Sequence, residues 1–107
     1  MSQYAWLFLI LAGLTEVIWA FFMKQSNGFS KLLPTILFTI FAIISMILLA
    51  LAIKYIQLSI AYPIWVGIGV AGTVLLGILI FKEHISLMKC IFLSMIIIGT
   101  IGIKISN

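Results

Sequence analysis

Four stretches of about twenty apolar residues fill most of this 107-residue chain. They run roughly over 4–23, 33–53, 58–80 and 87–105. With 65% hydrophobic residues, 7% charged residues and a mean hydropathy of +1.41, the chain carries more apolar surface than a soluble domain of its size can bury. Its solvent must be largely lipid. The sequence therefore predicts an all-α membrane protein with four transmembrane helices, read as a single four-helix domain over 1–107, with no length left for a soluble one.

The bends are short. Lys24-Gln25-Ser26-Asn27-Gly28-Phe29-Ser30-Lys31 carries Asn-Gly turn chemistry, Pro34 suits the first turn of the second helix, and the other bends fall at Lys54–Gln57 and Lys82–Ser86. Connections this short make consecutive helices antiparallel neighbours. The N-terminal Met-Ser-Gln-Tyr lacks the basic stretch of a signal peptide, so the first span is expected to remain in the mature protein.

All six basic residues are Lys, and they sit at span ends as interface anchors rather than gathering on one face, which excludes a nucleic-acid binder. Lys24, Lys31, Lys82 and Lys89 lie at one side of the membrane, Lys54 and Lys104 at the other. That bias is weak enough to be compatible with insertion in both orientations. Cys90 stands alone, so no intramolecular disulfide can form, and it reads as a packing residue. His84 lies in a polar bend without partner residues for a metal, and no cofactor is expected.

Against this background one residue stands out. Glu16 is the only formal charge between Tyr4 and Met23, and one of two acids in the chain. A charged side chain at membrane depth costs ~2.5–3.5 kcal/mol even on the lenient insertion scale, and such groups mark ion paths and binding sites. Gly13, Glu16, Trp19, Ala20 and Met23 share one helix stripe. The small residues leave space beside the carboxylate. The Trp19 indole can donate to it or present a face to a cation. The competing reading makes Glu16 a protonated interhelical contact.

The third span contributes Ala61-Tyr62-Pro63-Ile64-Trp65-Val66-Gly67-Ile68-Gly69, with Tyr62 and Trp65 on one face and several residues inside the span. Gly67, Gly69 and Gly72 spell G-x-G-x-x-G, but a dinucleotide site needs a strand–turn–helix context that a membrane span cannot offer. Pro63 removes a bond to the Ser59 carbonyl. With the glycines that follow, it predicts a helix able to kink or flex near its middle, a static kink being the alternative. Ser45 is a lone hydroxyl among Ile, Met and Leu, Lys104 is expected to snorkel to the interface, and Ser94, Gly99 and Gly102 permit close helix approach in the fourth span. Four short helices do not enclose a gated path alone, so a dimer or other oligomer is expected.

Taken together, Ala12-Gly13-Leu14-Thr15-Glu16-Val17-Ile18-Trp19-Ala20, Lys24-Gln25-Ser26-Asn27-Gly28-Phe29 and Ala61–Gly69 resemble the small multidrug resistance family of bacterial four-helix transporters, over the whole chain. The resemblance implies a multi-pass protein of the bacterial inner membrane and an antiparallel dimer of inverted topology, with an identical or paired second subunit. It implies a transporter rather than an enzyme, one that exchanges protons for cations. It further implies that Glu16 of both subunits forms the shared site, that Tyr62 and Trp65 line it, and that Gly67 and Gly69 form a hinge. Trp19, in Gly-x-x-Glu-Val-x-Trp-Ala, resembles the branch that exports guanidinium. Ser45, Lys104 and Phe81-Lys82-Glu83 match that branch too. Pro63 departs from the usual alanine and His84 from the usual proline.

The mechanism this suggests is competition. Two Glu16 carboxylates grip guanidinium bidentately, Trp19 and Ser45 donate to them, Tyr62 and Trp65 close the sides, and protons displace the cation. Trp19 also fills volume that a bulky drug would need. The alternatives are an exporter of quaternary ammonium or aromatic cations, one member of a heterodimeric pair, a cation channel, and a non-transporting assembly subunit.

Overall fold

A computed structural model describes residues 2–106. After a 3₁₀ turn at Ser2–Tyr4, four helices follow: α1 (Ala5–Gln25), α2 (Leu32–Ile53), α3 (Leu58–Leu79) and α4 (Leu87–Ser106). Each has the length and apolar composition to cross a membrane. No charge interrupts α2 or α3, and α1 and α4 carry theirs at Glu16, Lys24, Lys89 and Lys104.

The α1–α2 bend turns on consecutive left-handed residues, Asn27 (φ 49°), Gly28 (φ 71°) and Phe29 (φ 65°). This is the conformation Asn-Gly admits at low steric cost. Ser26, fully buried, locks the bend: its hydroxyl donates to the Met23 carbonyl (2.7 Å) and accepts the Phe29 N–H (3.0 Å).

The helices lie side by side in the order α2, α1, α3, α4. Aromatic pairs zip α1 to α2: Trp19 meets Phe38 edge-on at 5.7 Å and Phe22 stacks on Phe41 at 5.8 Å. The core joins the first three helices through Leu9, Ala12, Leu49, Ala52, Ile64 and Trp65. The result is a slab measuring 39 × 35 × 17 Å.

Glycines set how closely the slab packs. A Cβ at Gly13 would lie 2.7 Å from Ile68 Cβ, and one at Gly67 would lie 2.7 Å from Thr100 Cβ. These positions are the crossings of α1 with α3 and of α3 with α4. α4 touches the bundle along the stripe of Thr100 and Ile103 and contributes no buried residue. Around Gly99 and Gly102 a Cβ would meet nothing within 4 Å, so these small residues do not serve packing within the subunit.

α3 runs unbroken through Pro63, Gly67, Gly69 and Gly72. Pro63 falls in its second turn and Gly67 and Gly69 at its middle.

Candidate functional site

Glu16 lies midway along α1, half-buried, with its carboxylate against the α3 backbone at Gly69. Any side chain at Gly69 would occupy the space the carboxylate holds. One carboxylate oxygen, Oε1, is fully buried and has no hydrogen-bond partner among the described residues. The Trp19 indole Nε1 is in the same condition. The sequence placed donor and acceptor one turn apart on one stripe, but the structure does not join them. Glu16 reaches toward α3, whereas Trp19 is engaged edge-on by Phe38 of α2. The two side chains diverge toward the helices that flank α1, leaving a buried acceptor and a buried donor on one helix. Unpaired buried polar atoms are costly, and in native structures they call for an explanation.

Ser45 and Trp65 form a second polar node one turn earlier. Ser45, 0% exposed on α2, donates its hydroxyl to the Ala12 carbonyl at 2.7 Å. Trp65, 4% exposed on α3, sends its indole N–H to the same carbonyl (3.2 Å) and to the Ser45 hydroxyl (3.3 Å). From the sequence, Ser45 is a candidate donor to the Glu16 carboxylate. Here its bond goes to the backbone four residues before Glu16. The physical reason is that the carboxylate leans to α3, leaving the Ala12 oxygen as the acceptor facing α2. That oxygen ties three helices together. No side-chain pattern announces it, because every residue has a carbonyl.

Tyr62 is 50% exposed and packs edge-on against Trp65, with ring centroids 5.3 Å apart. Trp65 thus has its N–H committed inward while Tyr62 remains open at the slab face. Gly13 brings α3 against α1 just above the carboxylate, and Gly69 gives the carboxylate its place. Lys104 lies far from this cluster, at the end of α4, with its ammonium 4.8 Å from the centre of the Trp6 ring. Glu83, the other acid, forms an exposed 3.9 Å pair with Lys24 at the opposite end of the slab. Among the described residues no cluster of His, Cys, Asp and Glu could hold a metal ion.

Four apolar helices, the first with a half-buried carboxylate at its middle, define a polytopic membrane protein. The family described as Small Multidrug Resistance protein matches residues 4–96, and the chain belongs to that family. It is 44% identical over 103 residues to a guanidinium exporter of Yersinia pseudotuberculosis, covering 96% of this chain and 99% of that one. It is 40% identical over 103 residues to the guanidinium exporter of Escherichia coli K12 (96% and 98% covered). To that of Salmonella typhimurium it is 42% identical over 102 residues (95% and 97%). The four spans and these bacterial relatives place it as a multi-pass protein of the inner membrane.

Proposed function

We propose that this chain, acting as one four-helix membrane domain, exports guanidinium and small guanidinyl cations in exchange for protons, with Glu16 of two antiparallel subunits binding cation and protons in turn. The observation that carries the reading is the buried, unpartnered Glu16 oxygen beside Gly69 at the middle of a membrane helix. A planar cation with a fork of N–H donors supplies what that oxygen lacks, and a carboxylate matches its geometry bidentately. The full-length similarity to proteins named guanidinium exporters supports the choice of cation.

A second subunit is part of the reading. The slab is 17 Å thick and Glu16 is only half-buried, so one copy does not surround the carboxylate. A second copy facing it in inverted orientation closes the site and brings a second Glu16. The open flank of α4 at Ser94, Gly99 and Gly102 offers the close approach that helix association in lipid requires.

In this arrangement Tyr62 stands at the open face to meet the cation and Trp19 holds a free indole N–H for a carboxylate of the pair. Ser45 and Trp65 fix the Ala12 carbonyl and with it the pitch of α1 at Glu16. Pro63 leaves the Ser59 carbonyl without its helical partner, giving α3 a place to bend as Gly67 and Gly69 slide against Thr100 and Glu16. Protons and guanidinium compete for the same oxygens, so one is released as the other binds.

The test is uptake of radiolabelled guanidinium into proteoliposomes under an imposed pH gradient. Accumulation that needs the gradient and disappears in Glu16→Gln supports exchange. Accumulation that persists without a gradient, or in that variant, overturns it.

A further inference from the structure

We propose that the groove between α1, α3 and α4 is a binding site for one anionic phospholipid, with the headgroup phosphate on Lys104 and an acyl chain along the apolar walls. The groove has a volume of about 220 Å³ and is walled by Trp6, Ile10, Ile64, Ile68 and Ile101, with Lys104 at its end. Within a membrane such a groove must be filled by lipid or by protein, since water has too few polar partners there. Its polar features are confined to one side: Thr100 spends its hydroxyl on the Ile96 carbonyl, leaving Lys104 as the group that can recognise a headgroup.

The charge at that end selects the lipid. Lys104 is held over the Trp6 ring at 4.8 Å, which places the ammonium at the edge of the groove. Both acids of the chain lie elsewhere: Glu16 at mid-membrane against Gly69, Glu83 paired with Lys24 at the opposite end. Among the described residues Lys104 therefore has no carboxylate to neutralise it, and a phosphate at headgroup depth is its natural counterion. Basic pockets between membrane helices bind anionic headgroups in this way.

A second copy of the chain is the rival occupant, and the helix geometry argues against it. At 3.6 residues per turn Gly99 and Gly102 fall well around α4 from Thr100 and Lys104, on the flank away from the groove. A partner seated on that open flank leaves the groove to lipid.

The experiment is native mass spectrometry of the purified full-length protein, released from detergent after equilibration with equal amounts of phosphatidylglycerol and phosphatidylcholine. Wild type is expected to retain phosphatidylglycerol about fivefold over phosphatidylcholine, the selectivity one Lys near a headgroup confers. Lys104→Gln is expected to lose that preference while still holding lipid. Ile101→Trp, which fills the groove, is expected to hold neither. Lys54→Gln, at the same end of the bundle but outside the groove, keeps the preference. Equal retention of both lipids by wild type, an undiminished preference in Lys104→Gln, or equal losses in Lys104→Gln and Lys54→Gln would overturn the site.

Discussion

Gly69→Ala separates the function of Glu16 from the stability of the fold. The added Cβ would overlap Glu16 Oε1 and lie 2.5 Å from the carboxyl carbon, where ordinary contact begins at 3.4 Å, so the carboxyl has to retreat by more than about 1 Å. The carboxylate is the far end of a flexible side chain, and an off-rotamer shift costs only ~0.5–1.5 kcal/mol. The helices stay where they are. Misplacing a binding group by ~1 Å, however, can cost on the order of 100-fold.

Gly13→Ala is the matched control. There the Cβ meets Ile68 Cβ at 2.7 Å, an atom fixed to the α3 backbone, so α1 and α3 must separate at a cost of ~1–3 kcal/mol. Guanidinium binding by calorimetry and thermal unfolding in the same detergent read the two effects apart. Gly69→Ala should lose binding with its melting temperature nearly intact, and Gly13→Ala should lose melting temperature. A Gly69→Ala protein that binds guanidinium like wild type would refute the placement of the site between Glu16 and Gly69.

Further outcomes follow from the same geometry. Ser45→Ala removes the α2 bond to the Ala12 carbonyl but leaves that of Trp65, so it should cost ~0.6–1.7 kcal/mol in denaturant unfolding, the range for interhelical bonds in lipid. Trp65→Phe in the Ser45→Ala background should cost less than the two changes summed, because each change alone already removes the bond between the two side chains and the Ala12 carbonyl keeps the Thr15 hydroxyl as a donor. Pro63→Ala restores the bond to Ser59 and should slow guanidinium turnover with little change in binding, as measured by initial uptake rates over a range of concentrations.

What could be read from the residues and what could not divides along physical lines. Span lengths and apolar runs determine the four helices, because lipid leaves the backbone little alternative. Glu16 is legible because a single acid among twenty apolar residues has no bland explanation of equal weight. The glycines of α3 are legible as small but not as to purpose. Read along the chain they suggest a hinge; that Gly67 also admits Thr100 and Gly69 the carboxylate itself is visible only in space. The partner of Ser45 was hidden for a different reason. Its acceptor is a backbone carbonyl, and carbonyls are invisible to side-chain patterns. The divergence of Glu16 and Trp19 toward opposite neighbours depends on the lateral order α2, α1, α3, α4, which periodicity alone does not determine.

The central claim is that guanidinium and protons occupy the same Glu16 carboxylates. The most direct measurement is proton release on guanidinium binding, followed with a pH-sensitive dye in lightly buffered detergent solution. The account predicts that wild type releases protons as it binds, in an amount that falls as the starting pH is raised and the carboxylates are already ionised, and that Glu16→Gln neither binds nor releases. Guanidinium binding with no proton release at any pH, or release that survives in Glu16→Gln, would contradict it.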